Sequence, residues 1–390
     1  MSRNSAIVSS RHTVANEPKD LNMLTVERIE TIALRVPLGR VYKGSHYHMT
    51  HRAPVLVRIY TAEGIIGEAY SADEESNVVQ ISKIIDDEIA PLLIGKDIRS
   101  VERCWELTRP TTFDILRDRR LGLIATAAID TAIWDAVGKL HNEPLWRLWG
   151  GYSNSLPVIE IGGYYGTGIA IQDEIDQIKA RGAVGIKFKV GGMSPSEDAA
   201  RVAAARKAAG DDFVLMVDAN QAWTARQAIE FARIASEQNI FWFEEPCHWD
   251  NDSASMRDVR LITGLRVCAG QTENSASGCR DLIVNGSIDV CNFDSSWSGG
   301  PTEWRRVAAV SNTYGTLMAH HEEPQVAAHL LSSISNGTFL ETFHPDRDPV
   351  WRNLVMNHPE IVNGKAHLSE SPGLGWALDE VFIKKYQIGK

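Results

Sequence analysis

Acidic, amide and histidine residues recur at the ends of short apolar segments in the second half of the chain. Asp218 follows FVLMV, Glu244 follows IFWF, and Gln271 ends RVCAGQ, so the intervals are 26 and 27 residues. If these segments are parallel strands of one barrel, their carboxyl ends meet around a single mouth, and residues far apart in sequence form one pocket. Later segments place Asp294, His321 and Glu341 at or near corresponding positions.

Asp218 and Glu244 are candidate ligands for a hard divalent cation. Magnesium in proteins takes one or two carboxylates together with water or substrate oxygens. Each acid alone could instead cap the helix that follows its strand, or form a salt bridge. Their regular spacing, one strand–helix unit apart, favours a shared metal site.

Two lysines, Lys187 and Lys189, lie two residues apart in the segment GIKFKV. Because strand side chains alternate between faces, both lysines would face the barrel axis, while Ile186, Phe188 and Val190 face the helices. Two ammonium groups buried together beside a divalent cation repel each other, which lowers the pKa of at least one and can leave an amine able to accept a proton. A pair on a solvated edge strand is the alternative, and the apolar neighbours disfavour it.

A histidine–aspartate pair is expected across the mouth from the lysines. His321 can hydrogen-bond Asp294 from the preceding strand, and a carboxylate on one ring nitrogen fixes the tautomer and raises the basicity of the other. His320 is a rival, but alternation would turn it away from the axis. Either histidine could instead be a buried structural residue.

The elements that must position these residues are eight short apolar segments, each followed by a polar or helical stretch. They are, in order, PVIEIGG, GIKFKVGG, FVLMVDAN, IFWFEEP, RVCAGQ, IDVCNFD, TLMAHH and TFLETF. Eight such units predict a (β/α)8 barrel. An open doubly wound sheet would carry a glycine fingerprint after its first strand, and GGYYGTG is not one. Residues 24–70 are β-like and residues 78–149 helical, which predicts a preceding α+β domain.

Composition excludes several classes of partner. The chain has 390 residues, 40 Lys and Arg against 50 Asp and Glu, and a net charge of −10, so we expect no nucleic-acid or anionic-membrane surface. Residues 121–140 are apolar but contain Asp130, Asp135 and Lys139, so we expect no transmembrane helix there. The five cysteines form no CxxC pair, and the start has no signal-peptide pattern, which predicts a cytoplasmic protein.

Taken together, the motifs resemble the mandelate racemase subgroup of the enolase superfamily, and in particular its acid-sugar dehydratases. The resemblance runs from about Val26 to the C-terminus. It rests on the ordered set IKFKV, DANQAW, FEEP, AGQTE, DSSWSG, AHHEEPQVAAHLL, TFLE and PGLGW. In that superfamily a Lys or His side chain acts as the base, and Mg²⁺ stabilises the ene-diolate that forms.

The resemblance implies the fold class α/β, a modified (β/α)8 TIM barrel with an N-terminal α+β capping domain. The implied organisation is a flexible tail (residues 1–22), the capping domain (23–150), the barrel catalytic domain (151–343) and a C-terminal segment that packs back on the cap (344–390). It also implies a symmetric homo-oligomer.

The resemblance assigns roles to the strand-end residues. It makes Lys189 a general base and Lys187 the neighbour that tunes its pKa, while His321, with Asp294 as its partner, serves the other face of the substrate. Here His321 lies eight residues before the histidine of AHLL, His329, as in the family pattern. The remaining roles are Mg²⁺ ligands for Asp218 and Glu244 and a hydrogen bond to the substrate carboxylate for Glu341.

The fifth strand departs from the family pattern, which has a carboxylate where this chain has Gln271. Either the Gln271 amide oxygen is a neutral third ligand, or Glu273, expected on the same strand face, reaches the metal or its waters. Because magnesium prefers charged ligands, we favour Glu273 slightly.

A segment of the cap, residues 39–52, is expected to be a loop that covers the barrel mouth. A solvated loop that binds nothing is an equally good interpretation. The candidate substrate-binding residues are Lys43, Tyr47, His48, Arg52 and, from DANQAW, Asn220.

The expected reaction is abstraction of the proton α to a carboxylate, giving an enediolate that Mg²⁺ stabilises. Loss of the β-hydroxyl would make the protein a lyase, a hydro-lyase of carbohydrate acid catabolism that converts an aldonate or aldarate to a 2-keto-3-deoxy acid. Return of a proton to the α-carbon would make it a racemase or epimerase of a 2-hydroxy acid. A non-catalytic metal-binding barrel is the third alternative, which the paired lysines disfavour.

Overall fold

The N-terminal part of the chain is a small antiparallel sheet covered by helices. The computed structural model describes residues 23–73 and 76–389, and the expected tail, residues 1–22, lies outside them. Strands β1, β4 and β5 form the sheet in the order β1-β4-β5, and β2 pairs with β3 separately. The five strands are β1 (Val26–Ala33), β2 (Val36–Lys43), β3 (His48–Arg52), β4 (Val55–Thr61) and β5 (Ile66–Tyr70).

The segment 39–52, expected to be a loop, is largely a β-hairpin. Strands β2 and β3 are antiparallel, with Val36 opposite Arg52 and Lys43 opposite His48. The connecting turn is closed by the Gly44 amide, which donates to the Tyr47 carbonyl at 3.1 Å. Exposed and more buried residues alternate along β2, but the more buried side carries Arg40, and in β3 only Arg52 is fully buried. The hairpin therefore lacks the apolar alternation by which a strand is recognised in a sequence.

One long helix, α4, forms the centre of the cap. By length and composition it could cross a membrane, but 89% of its most apolar window is buried inside the protein. Its charged residues alone therefore do not distinguish it from a transmembrane helix, and its burial in the protein does. Asp130 accepts from the Thr302 amide of the barrel, and Asp135 accepts from the Leu374 amide of the C-terminal segment. The cap helices are α1 (Val78–Lys83), the π-helical Ile84–Ile89, α2 (Ala90–Leu93), α3 (Val101–Thr108), the 3₁₀ turn Arg109–Thr112, α4 (Arg119–His141) and α5 (Leu145–Leu148).

The second part of the chain is the predicted barrel, and all eight predicted strands are present. Neighbouring strands are parallel from the first strand, β6, to the seventh, β12, and the eighth, β13, pairs with β6. Thr338, just before β13, donates to the Met318 carbonyl of β12 at 2.9 Å, which closes the ring. The strands are β6 (Ser155–Gly162), β7 (Gly185–Lys189), β8 (Val214–Asp218), β9 (Ile240–Glu244), β10 (Val267–Ala269), β11 (Val290–Cys291), β12 (Leu317–Met318) and β13 (Leu340–Phe343).

Helices surround the barrel and receive the outward-facing strand residues. Ile186, Phe188 and Val190 belong to this outer core, as alternation predicts, whereas Met216 and Trp242 fill the interior. The helices are α6 (Ile171–Ala180), α7 (Pro195–Ala209), α8 (Ala225–Ile234), α9 (Asp252–Thr263), α10 (Ala276–Val284), α11 (Gly300–Tyr314) and α12 (Pro324–Ser332). Short 3₁₀ turns at Ser236–Gln238 and Trp249–Asn251 complete this layer.

The C-terminal segment returns to the cap. Its strand β15 pairs antiparallel with β6 of the barrel. The apolar side of its last helix packs with Leu34 and Leu56 of the cap sheet, and Ile388 donates to the Ala33 carbonyl at 2.9 Å. The cap is thus held over the barrel from both ends. The elements of this segment are the π-helical Val350–Leu354, β14 (Glu360–Val362), β15 (Lys365–His367) and α13 (Glu380–Tyr386).

Candidate active site

The carboxyl ends of the barrel strands bring the predicted residues together. In the register of the parallel strands, Lys189 lies opposite Asp218, and Asp218 lies opposite Glu244. All three side chains are at most 2% exposed. Burying three charged side chains costs free energy unless each has an oppositely charged partner. The ion pairs that these residues form are therefore the first feature of the site to establish.

Both lysines of the KxK motif are paired with carboxylates. Lys187 Nζ lies 2.7 Å from Glu244 Oε1 and 2.6 Å from Glu341 Oε1. Lys189 Nζ donates to Asp218 Oδ2 at 2.6 Å and to Asn220 Oδ1 at 3.1 Å. The lysines therefore face the axis as predicted, each within its own ion pair.

The lowering of a lysine pKa, expected beside a divalent cation, is not produced by the protein's own charges. Burial acts to lower the pKa of Lys187, but Glu244 and Glu341 outweigh it, and the pKa is raised. Burial also acts to lower the pKa of Lys189, but Asp218, together with Tyr47 and Tyr164, outweighs it and the pKa is raised. Attraction to the carboxylates exceeds the repulsion between the two ammonium groups.

His321 and Asp294 form the predicted pair, with His321 Nδ1 and Asp294 Oδ2 at 2.8 Å. Burial acts to raise the pKa of Asp294, but the hydrogen bond and charge of His321, together with His320 and Ser296, outweigh it. The pKa is lowered, so the aspartate is ionised. His320 turns into the barrel wall, where its Nε2 accepts from the Ser295 amide at 3.1 Å. Its position matches the prediction that it faces away from the axis.

A cavity of about 540 Å³ lies between the barrel mouth and the cap. Lys189 comes from the second barrel strand and His321 follows the seventh, so they enter this cavity from different sides. Lys189 Nζ lies 5.7 Å from the centre of the Tyr47 ring, which belongs to the hairpin. Of the predicted residues, the cavity is lined by Tyr47, His48, Lys189, Asn220, Gln271 and His321.

Two predicted substrate-binding residues lie elsewhere. The Lys43 side chain is exposed, and its backbone pairs with His48 and Tyr165. Arg52 is buried and forms ion pairs with three carboxylates, so its guanidinium is committed within the protein. Its partners are Asp73, Glu323 and Asp348.

The preference for Glu273 over Gln271 does not match the structure. Gln271 lines the cavity, whereas the Glu273 carboxylate lies against Gly278 in the first turn of α10, where an added β-carbon would overlap it. The backbone turns after β10, with the Glu273 amide donating to the Gly270 carbonyl at 3.1 Å. Strand alternation therefore no longer applies at Glu273.

Glu245, the second glutamate of FEEP, is a site residue that the sequence reasoning missed. Its carboxylate accepts from Gln271 Nε2 at 2.9 Å and from Thr272 Oγ1 at 2.8 Å. Burial and the nearby Asp218 raise its pKa to about 7. The only signal was the adjacent pair of glutamates. Other missed residues that line the cavity are Asp73, Arg120, Gln221, Trp297 and Glu322.

The donor set fits a divalent cation. Asp218, Glu244, Glu245 and Glu341 are buried beside two lysines, which leaves an excess of negative charge when all are ionised. Burial, together with Asp218, raises the pKa of Glu244 to about 8, as expected where carboxylates crowd together. Hard oxygen ligands of this kind suit Mg²⁺. Among residues 23–73 and 76–389 no three His, Cys, Asp or Glu side chains already form a complete ligand set.

Comparison with known families agrees with this architecture. The family described as mandelate racemase / muconate lactonizing enzyme, N-terminal domain, matches residues 16–150. The family described as enolase C-terminal domain-like matches residues 170–381. The two matches correspond to the cap and to the barrel with most of the C-terminal segment.

Individual proteins are similar over nearly the whole chain. A 3,6-anhydro-alpha-L-galactonate cycloisomerase from Streptomyces coelicolor is 30% identical over 93% of this chain and 100% of its own length. An arabinonate dehydratase from Saccharolobus solfataricus is 26% identical over 85% of this chain and 90% of its own. A crystal structure of a mandelate racemase/muconate lactonizing enzyme from a marine actinobacterium, in complex with magnesium, is 54% identical in sequence, with a TM-score of 0.89. The match covers 94% of this chain and 100% of that one. This chain therefore belongs to the mandelate racemase subgroup of the enolase superfamily.

Proposed function

We propose that the protein is a Mg²⁺-dependent dehydratase of a sugar acid, an aldonate or an aldarate. The observation that carries the proposal is that Lys189 and the His321–Asp294 pair line one cavity beside a cluster of buried carboxylates. An arabinonate dehydratase among the relatives supports the substrate class. The magnesium in a structure 54% identical to this chain supports the metal.

In this proposal Asp218, Glu244 and the Gln271 amide oxygen hold the cation, with Glu245 adding negative charge beside it. Bound there, Mg²⁺ would neutralise the charge that develops on the substrate carboxylate as the α-proton leaves. With Asp218 committed to the metal, Lys189 would lose the main attraction that raises its pKa and could accept a proton. Lys187 and Glu341 orient the carboxylate end of the substrate.

His321 acts on the leaving group. It enters the cavity from a different side than Lys189, and Asp294 fixes its ring so that Nε2 faces the cavity. Lys189 takes the α-proton, the bond to the β-oxygen breaks, and that oxygen leaves as water with a proton from His321. The resulting enol becomes a 2-keto-3-deoxy acid.

Ring opening is the second candidate, because a cycloisomerase is among the relatives at 30% identity. The two reactions share the first proton transfer and differ in the leaving oxygen, which is a hydroxyl in dehydration and a ring oxygen in ring opening. Epimerisation would return a proton to the α-carbon instead, and no relative described above favours it over elimination.

The test is incubation of the Mg²⁺-loaded protein with a panel of aldonates, aldarates and anhydro sugar acids in D₂O. Dehydration gives a 2-keto acid lighter by one water, ring opening gives a keto acid isomeric with the substrate, and epimerisation gives recovered acid with deuterium at the α-carbon. The Lys189→Met variant is the matched control. Retained Mg²⁺ binding without turnover across the panel would contradict the proposal and favour a non-catalytic barrel.

We also propose a cytoplasmic location and a homo-oligomeric assembly. All five cysteines are buried as free thiols, which suits a reducing compartment. Fractionation of the native host tests the location, and light scattering of the purified protein tests the assembly.

A further inference from the structure

Glu322, the residue after His321, is turned back into the same cavity. The backbone is left-handed at Glu322 and at Glu323, with φ of 49° and 39°. This conformation costs a residue other than glycine about 1–3 kcal/mol, so it persists only where the surroundings hold it. Here the Glu322 amide donates to Glu341 Oε2 at 2.9 Å, and the Glu322 side chain accepts from Arg347 Nη2 at 3.0 Å.

Arg347 keeps Glu322 ionised. The guanidinium is 1% exposed, and within the described part of the chain Glu322 is its one ion-pair partner. An arginine does not lose its proton inside a protein, so the buried charge requires a counter-ion. Burial acts to raise the pKa of Glu322, but Arg347, together with the positive charges of His321, Arg52 and Lys189, outweighs it and lowers the pKa to about 2. Glu322 is therefore a fixed negative charge and cannot donate a proton at neutral pH.

His321 lies between two carboxylates. Its Nδ1 is 2.8 Å from Asp294 Oδ2, and its Nε2 is 3.7 Å from Glu322 Oε1. The edge of the Trp297 ring packs nearby, with ring centres 5.5 Å apart. Other titratable groups from the barrel that face His321 or share its cavity are Lys187 and Lys189 from β7, Glu245 after β9, and the adjacent His320. Those that the cap contributes to the same cavity are Tyr47, His48, His51, Asp73 and Arg120.

The balance of these charges favours the imidazolium. Burial and Lys187 act against protonation of His321, and Glu322 and Asp294 act for it. The carboxylates prevail, and the pKa of His321 is raised to about 9. An Asp294–His321 pair alone would leave Nε2 facing the cavity without a charged neighbour, so Glu322 changes the chemistry of that nitrogen.

We propose that Glu322 is a positioning residue that, together with Asp294, holds His321 as an imidazolium, so that His321 enters the reaction as a general acid. The proposal deepens the proposed function, on which it rests for the destination of the proton. The β-carbon–oxygen electron pair leaves with the oxygen, the oxygen takes the proton from His321 Nε2, and the α-proton goes to Lys189. The protonation state itself is measurable without turnover.

The experiment is an NMR titration of ¹³C-labelled histidine rings in the Mg²⁺-loaded protein, with His321→Asn to assign the resonance. We expect His321 to titrate well above its ordinary value of about 6.5. We expect Glu322→Gln, which keeps the shape and an acceptor for Arg347, to lower that pKa by about one to three units. Glu323→Gln is the matched control, because it changes the same turn at a carboxylate paired with Arg52. We expect a smaller shift there.

Two results would overturn the inference. One is a His321 pKa at or below about 6.5 in the parent protein, which decides the matter even if Glu322→Gln fails to fold. The other is a folded Glu322→Gln protein whose His321 pKa is unchanged. Where turnover is found, the basic limb of the kcat profile moves to lower pH in Glu322→Gln with little change in KM. Absence of turnover would sink the proposed function and leave the titration result standing.

Discussion

Arg52 separates a structural from a substrate-binding interpretation of the hairpin. Its guanidinium, 1% exposed, is paired with Asp73, Glu323 and Asp348. Arg52→Met would leave three carboxylates in the interior without their counter-ion. Removal of one partner from a buried ion pair typically destabilises a protein by about 3–5 kcal/mol. We predict a loss of that size in the free energy of unfolding.

The loss should depend on pH, with a sign set by the carboxylates. Burial already raises the pKa of Asp73 to about 6 with Arg52 present. Arg52 acts to lower the pKa values of Asp73 and Glu323, so without it both rise further. An acid whose pKa is higher in the folded than in the unfolded state binds extra protons on folding, so stability increases as the pH falls through that interval. The defect of Arg52→Met should therefore be larger at pH 8 than at pH 5.

The assay is urea unfolding of the parent, of Arg52→Met and of a control, Arg28→Met, followed by tryptophan fluorescence at both pH values. Arg28 is 54% exposed and pairs with Glu30 at 3.7 Å, so its loss should cost less than about 1 kcal/mol. If Arg52→Met kept the parent's stability at both pH values and raised only the KM, the structural interpretation would be refuted and substrate binding restored.

Three further changes test the metal site, the base and the contact between cap and barrel. Lys189→Met should lower kcat by about 10²–10⁴-fold while calorimetry shows nearly unchanged Mg²⁺ affinity, and undiminished activity would exclude it as the base. Gln271→Glu should bind Mg²⁺ more tightly in the same calorimetry, and weaker binding would place Gln271 outside the ligand set. Asp130→Ala removes the acceptor for both Thr302 hydrogen bonds, each 2.8 Å, and should destabilise the protein by about 1–3 kcal/mol in urea unfolding.

The barrel was predictable because short apolar segments recur along the chain, and the residues that end three successive segments are 26 and 27 residues apart, the length of one strand and its helix. Two-residue alternation then correctly oriented Lys187 and Lys189 inward and Phe188 outward. The hairpin was not predictable by the same reasoning. The more buried side of β2 includes Arg40, and β3 buries only Arg52 fully, so neither strand shows apolar alternation in the sequence.

The sequence located the charged residues of the site but did not predict which of them form ion pairs, and so did not predict the sign of the lysine pKa shifts. Repulsion between Lys187 and Lys189 was evident from their spacing, whereas the distances to Glu244 and Glu341 depend on how three strands, β7, β9 and β13, meet in the barrel. These distances, 2.7 and 2.6 Å, decide the sign of the pKa shift. The ion pairs of Arg52 could not be predicted for a related reason: its partners Glu323 and Asp348 lie 271 and 296 residues further along the chain.

Three of the site residues that the sequence reasoning missed share a backbone feature. Gln221, Glu245 and Glu322 each lie within a few residues of a strand end and have φ of 63°, 37° and 49°. In an extended strand, consecutive side chains point to opposite faces, so the residue after an inward-facing ligand should face away. A left-handed residue breaks that rule and turns a second side chain toward the same cavity, as Glu322 does beside His321. Because this conformation costs free energy in residues other than glycine, its recurrence at one mouth, also at Asn220, marks positions where the surrounding contacts hold strain at a functional site.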